Sequence, residues 1–168
     1  MGIAVVYKIT IKTILIQLVG VGVMLVATML GVGYLVVFKD ADVGGSLFFM
    51  GCLAIVFSVD SIVLFVRYFL INKDSVVEFL SSDWMRWSQG GVETYISPDD
   101  VESIDLNLTY PVFDERIGCG GGDNFIYAKF NLKDGRSFVL TSLMSPKLDL
   151  PQGFYQKAVR VRNFRCWL

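Results

Sequence analysis

Two places in the chain combine residue types and spacings that could do chemistry. The first is the run Gly118-Cys119-Gly120-Gly121-Gly122-Asp123, with Arg116 before it and Lys129, Lys133 and Arg136 after it. Glycines let main-chain N–H groups approach an anion closely, and nearby Arg and Lys supply charge for a phosphate. Arg116, Gly120, Gly121, Gly122, Lys129 and Arg136 therefore form a candidate ligand-binding set. The plain alternative is a hairpin loop with no ligand. The Lys-Ser or Lys-Thr ending of a P-loop is absent, and no helix plainly follows as a dinucleotide fingerprint requires. The second place is the pair Gln17 and Asp60, the strongly polar members of two long apolar runs. A carboxylate at mid-bilayer depth costs about 2.5 to 3.5 kcal/mol, which makes it a functional candidate by default. The two side chains could bond to each other, line a pore in an oligomer or relay protons.

The chain contains no histidine. That removes the usual general base, the HExxH zinc site and every Ser-His or Cys-His nucleophile. Cys52, Cys119 and Cys166 lie far apart, without disulfide or zinc spacing. No catalytic residue, metal site or cofactor is expected, and the chain reads as a non-enzyme. A net charge of -1 argues against duplex nucleic acid as a partner.

The elements that must position these residues fall into two parts. Residues 13–38 and 47–66 are apolar runs that reach the roughly 20 residues a membrane-crossing helix needs. They predict a transmembrane hairpin over residues 1–72 and a mostly β cytoplasmic domain over 73–168, an α+β chain. Lys8 and Lys12 flank the first run and Arg67 and Lys73 follow the second, whereas the connection holds Lys39, Asp40 and Asp42. By the positive-inside rule this is a multi-pass protein of the inner membrane with both termini cytoplasmic. Gly20, Ala27 and Gly31 place small side chains along one face of the first helix, a pattern that favours close helix packing and a homo-oligomer.

From residue 75 onward, short β-like runs alternate with turn signals: 75–80, 84–87, 92–96, 101–108, 124–132 and 137–143. Asp134-Gly135 suits a two-residue type I′ turn. That turn pairs Lys133 with Arg136, and its register sets Phe130 opposite Val139, Ala128 opposite Thr141 and Ile126 opposite Leu143 on the core face. Trp84 and Trp87 are core or interfacial anchors, or platforms for a stacked base. In the tail, Phe154, Ala158 and Val161 fit a helix while Val159-Arg160-Val161-Arg162 alternates like a strand, and the choice stays open. The tail's basic residues could attract anionic lipid. The segment from Tyr95 to Ile104, with Ser97-Pro98-Asp99-Asp100 at its turn, resembles the strand, acidic turn and strand of bacterial pleckstrin-homology-like domains carried on membrane hairpins.

In size and architecture the whole chain resembles the small membrane effectors of type III CRISPR antiviral defence, with a two-helix membrane part before a ligand-binding domain. The resemblance implies an oligomer that binds a cyclic oligoadenylate and rearranges its hairpins to disrupt the membrane or open a pore. No ligand residue carries over from that family; Arg116, Lys129 and Arg136 come from this sequence alone. The alternative function is a pleckstrin-homology-like, membrane-tethered scaffold or accessory subunit. The expected partners are the lipid bilayer, the nucleotide messenger and further copies of the chain.

Overall fold

The structure is a computed structural model that describes residues 5–39, 42–81, 83–116, 123–163 and 166. A short strand β1 (Val5–Tyr7) leads into two long helices, α1 (Ile11–Lys39) and α2 (Val43–Asn72), which pack against each other as a hairpin. Neither helix contains proline, and Asp42 caps α2 by accepting a hydrogen bond from the backbone N–H of Gly45 at 2.5 Å. The chain then forms β2 (Ser75–Phe79), β3 (Met85–Gln89) and β4 (Val92–Ile96). β1 pairs antiparallel with β2, so the helical hairpin is inserted between two neighbouring strands of one sheet.

A 3-10 turn (Pro98–Asp100) leads into β5 (Val101–Thr109) and the short helix α3 (Tyr110–Phe113). Then come β6 (Tyr127–Leu132), β7 (Ser137–Thr141), a helical turn α4 (Gln152–Tyr155) and β8 (Ala158–Asn163). The second sheet has the order β7-β6-β5-β8, antiparallel except for the parallel pair β5 and β8. The tail follows its strand reading: Ala158 and Val161 lie in β8, and of the helical set only Phe154 sits in a helical turn. The inner faces of the two sheets share one core. Val77, Phe79, Met85, Trp87 and Ile96 meet Ile104, Leu106, Ala128, Phe130 and Leu140, and Phe154 closes it.

Two sequence-based expectations are corrected here. Among the described residues, no helix is long and apolar enough to cross a membrane. The transmembrane hairpin over 13–38 and 47–66 is not supported, nor are the membrane-protein and transmembrane-helix assignments and the multi-pass inner-membrane placement with cytoplasmic termini that followed from it. The physical reason is visible at the hairpin's base. Gln17 in α1 and Ser61, Leu64, Tyr68 and Asn72 in α2 are buried, and three of them bond to carbonyls of the β-domain and its tail. Hydropathy counts a residue packed on protein the same as one facing lipid.

The second correction is the β6–β7 register. Gly135 has a positive φ of 85°, while Asp134 has no positive φ. The backbone N–H of Gly135 donates to the Leu132 carbonyl at 3.0 Å, and that of Leu132 to the Arg136 carbonyl at 2.9 Å. The loop is therefore a turn over 132–135 closed by a left-handed glycine, in place of a type I′ turn. Pairing slips by one residue, so Phe130 faces Phe138, Ala128 faces Leu140 and Tyr127 faces Thr141. Because side chains alternate, the slip brings Phe138 and Leu140 to the core face where Val139 was expected. The Phe130 and Phe138 rings stack at 4.6 Å.

Candidate functional site

Two clefts collect the polar chemistry. The first lies between β4 and β7, the edge strands of the two sheets, and has a volume of about 380 Å³. Its floor is aromatic: Trp87 and Phe138 approach to 4.3 Å between ring centroids, with planes tilted by 39°. Trp87 reaches the floor because β3 alternates, burying Met85 and Trp87 and leaving Arg86 and Ser88 more open. Gln89, Thr94 and Arg136 stand in the walls. The Arg136 Nε donates to Asp134 Oδ2 at 2.7 Å, and its backbone N–H donates to Asp134 Oδ1 at 2.9 Å. The backbone hydrogen bond, with the side-chain bond second, holds the Asp134 carboxyl below its usual range. An aromatic floor beside a guanidinium suits a ligand with an aromatic ring and negative charge.

The second cleft is a groove between the hairpin's base and the β5 and β8 side of the second sheet. Two neighbouring hollows of about 300 and 290 Å³ share Val112, Ile126 and Lys147. The first is bounded by Ile16 and Gln17 of α1, and the second by Arg160 of β8 and by Asp149. Gln17 is buried, and its Nε2 donates to the Ser142 carbonyl at 3.3 Å while its Oε1 has no partner.

The sequence-derived set is dispersed. Arg116 is exposed just after α3, with its backbone N–H donating to the Pro111 carbonyl at 2.7 Å. Arg136 lies at the other end of the same sheet, because Leu132 pairs with Val101, the first residue of β5. The nine-residue β5 separates the two ends by roughly 25 Å at about 3.3 Å per residue. Lys129 lies midway on β6, exposed, with Asp105 and Val139 as its cross-strand neighbours. Gly120, Gly121 and Gly122, with Cys119, lie outside the described residues. Asp60 lies in α2, its side chain likewise outside them, whereas Gln17 turns to Ser142 of the β-domain.

The groove's Lys147 was not legible as a site residue. It follows Met144-Ser145-Pro146 in a turn, and only tertiary packing brings it beside α1 and β8. Of the buried groups, Cys166 has its thiol pushed up to about 12 by burial, and its Sγ donates to the Asn107 carbonyl at 3.2 Å. Such a thiol stays protonated and is a poor nucleophile at neutral pH. Among the described residues, no cluster of acidic, Cys or His side chains could hold a metal ion. No family model, curated protein or solved structure matches the chain.

Proposed function

We propose that the chain is a non-enzymatic binding protein whose helical hairpin associates with lipid and holds the β-domain against the lipid layer as a scaffold. The observation that carries this reading is the hairpin's outer surface. At about 100° per residue, the exposed side chains Ile11, Val19, Val23, Val26, Leu30 and Tyr34 spread over roughly 140° of α1. Leu47, Phe48, Ile62, Val63, Phe69 and Leu70 spread over roughly 160° of α2 by the same geometry. A helix docked on one partner presents a stripe of about 100°, and each helix here already has the other on its remaining side. Arcs this wide suit a lipid surface on which the hairpin lies. Apolar patches of this extent are not left in water by a soluble monomer.

Vesicle flotation tests the proposal. The purified chain is expected to float with neutral phosphatidylcholine vesicles and to aggregate when lipid and detergent are both removed. A monodisperse chain in plain buffer that stays at the bottom of the gradient overturns it. A discrete oligomer in plain buffer points to self-association as what covers the hairpin.

The floor of Trp87 and Phe138 beside Arg136 favours a second reading, in which the β-domain binds a nucleotide messenger such as a cyclic oligoadenylate. Bases would stack on the aromatic floor while Arg136 meets a phosphate. Arg116 lies at the far end of the sheet, and Lys129 faces its opposite side from Phe130 and Phe138, so neither shares that cleft within one chain. Arg136→Glu should weaken cyclic oligoadenylate binding at least tenfold, whereas equal affinity in an isothermal titration rejects the cleft as its site.

A further inference from the structure

We infer that the groove at the hairpin's base is a binding site for a single phosphate-bearing amphiphile, such as an anionic phospholipid. The inference rests on the lipid association proposed above and deepens it by naming a seat for one molecule. Three observations converge on it. The hollow beside α1 is walled mainly by apolar side chains, Ile16, Val112 and Ile126 among them, and its volume of about 300 Å³ suits part of an acyl chain. Ile16 is partly exposed, and at about 100° per residue it falls with Tyr34 at the edge of the arc of α1 assigned to lipid, so the hollow borders that face.

The adjoining hollow supplies the charge. Lys147 belongs to both hollows and Arg160 to the second. Neither makes an ion pair among the described residues. The Arg160 guanidinium lies 5.5 Å from the centre of the Phe113 ring, a contact that fixes its position without neutralising it. Among the described residues, Asp149 is the one carboxylate on the same wall. Two cations against one anion leave the groove positive, and a phosphate monoester or diester is the group that such a pair grips best.

Gln17 gives the third observation. It lines the apolar hollow and is buried, with its Oε1 lacking a donor. A buried acceptor without a partner costs about 1 to 3 kcal/mol. A rotation of the amide that turns Oε1 into the hollow would let a hydroxyl on the occupant, or a water carried in with it, satisfy that oxygen. A free phosphate would use Lys147 and Arg160 and leave the apolar hollow empty. An amphiphile uses both.

The test uses the full chain in neutral detergent and measures the change in melting temperature and the saturation of binding with dioctanoyl phosphatidylglycerol below its micelle concentration. A saturable upward shift is expected, with affinity at least tenfold weaker in the Lys147→Ala/Arg160→Ala double variant. Lys147→Arg should retain binding and Asp149→Asn should strengthen it, and both keep the readout valid if the double variant folds poorly. Dioctanoyl phosphatidylcholine should bind more weakly, and inorganic phosphate should not displace the lipid at equal concentration. Displacement by phosphate at equal concentration overturns the amphiphile in favour of a free anion. Equal affinity in wild type and both charge-altered variants overturns the groove altogether. Because the probe is a dispersed short-chain lipid and not a vesicle, its binding is read independently of flotation, so failure of the groove and failure of the hairpin's lipid association are distinguishable.

Discussion

Asp100 shows how one side chain shapes the chain's path between the two sheets. Its Oδ2 accepts hydrogen bonds from the Ser97 hydroxyl at 2.7 Å and the Ser97 backbone N–H at 2.8 Å, closing the 3-10 turn at Pro98. Those bonds favour the charged carboxylate and hold its pKa below the ordinary 3.8. A carboxyl depressed in the folded state contributes stability that is fully present above its unfolded value and is lost as pH falls through the folded one. Asp100→Asn should therefore melt below wild type near neutral pH, and the gap should close below the ordinary value of 3.8. Thermal unfolding followed by Trp fluorescence at several pH values checks this. A gap that persists unchanged at about pH 2 rejects the charge as its origin. The sequence already offered Ser97-Pro98-Asp99-Asp100 as a turn, because proline and acidic residues act locally. What it could not offer was Trp87 next to Phe138, since that contact joins strands from different sheets.

At the scale of elements, the β6–β7 loop shows where local chemistry runs out. Asp134-Gly135 announces a hairpin correctly, but the dipeptide serves either a type I′ turn or a turn closed by a left-handed glycine. The choice is made by burial: only the observed register puts Phe138 and Leu140 on the face that already carries Phe130 and Ala128. The left-handed glycine that closes it has a φ of 85° and open space around a built side chain. Gly135→Ala should thus cost about 1 kcal/mol of stability from backbone strain alone. A denaturant titration checks it, and a stabilised variant rejects the turn assignment. The joint between hairpin and β-domain obeys a different logic, built from side chains bonded to distant carbonyls. The Tyr68 hydroxyl donates to the Cys166 carbonyl at 2.8 Å, and Asn72 Nδ2 to the Val139 carbonyl at 2.8 Å. Tyr68→Phe should lose about 1 kcal/mol and speed amide exchange in β8, just before the tail that carries Cys166. Unchanged exchange there means that the hydroxyl does not hold the tail. No pattern in the sequence signals these bonds, because their partners lie across the fold.

For the whole molecule, composition distinguishes two apolar helices from a β-rich remainder, and one strand links the two. β1 precedes the helices yet pairs with β2, so the hairpin leaves and re-enters the same sheet. Both ends of the insertion are pinned, and Gln17, Tyr68 and Asn72 tie its base to the β-domain and tail. This arrangement lets the outer parts of the helices be altered without disturbing the core, which supplies a clean test of what the apolar surface is for. Val23, Val26 and Leu30 are all exposed in the outer part of α1, and none belongs to the clusters that pack the β-domain. Replacing all three by lysine removes apolar area worth about 25 cal/mol per Å² in transfer and adds charges that resist entry into lipid. The triple variant should no longer float with neutral vesicles and should become more soluble in plain buffer. Its Trp87 fluorescence and domain melting temperature should match wild type, because that indole sits between the sheets. Loss of flotation with an intact domain assigns lipid association to the hairpin's surface. Flotation that survives three lysines assigns it elsewhere, and loss of the domain's melting transition means the helices are structural members of the β-domain core.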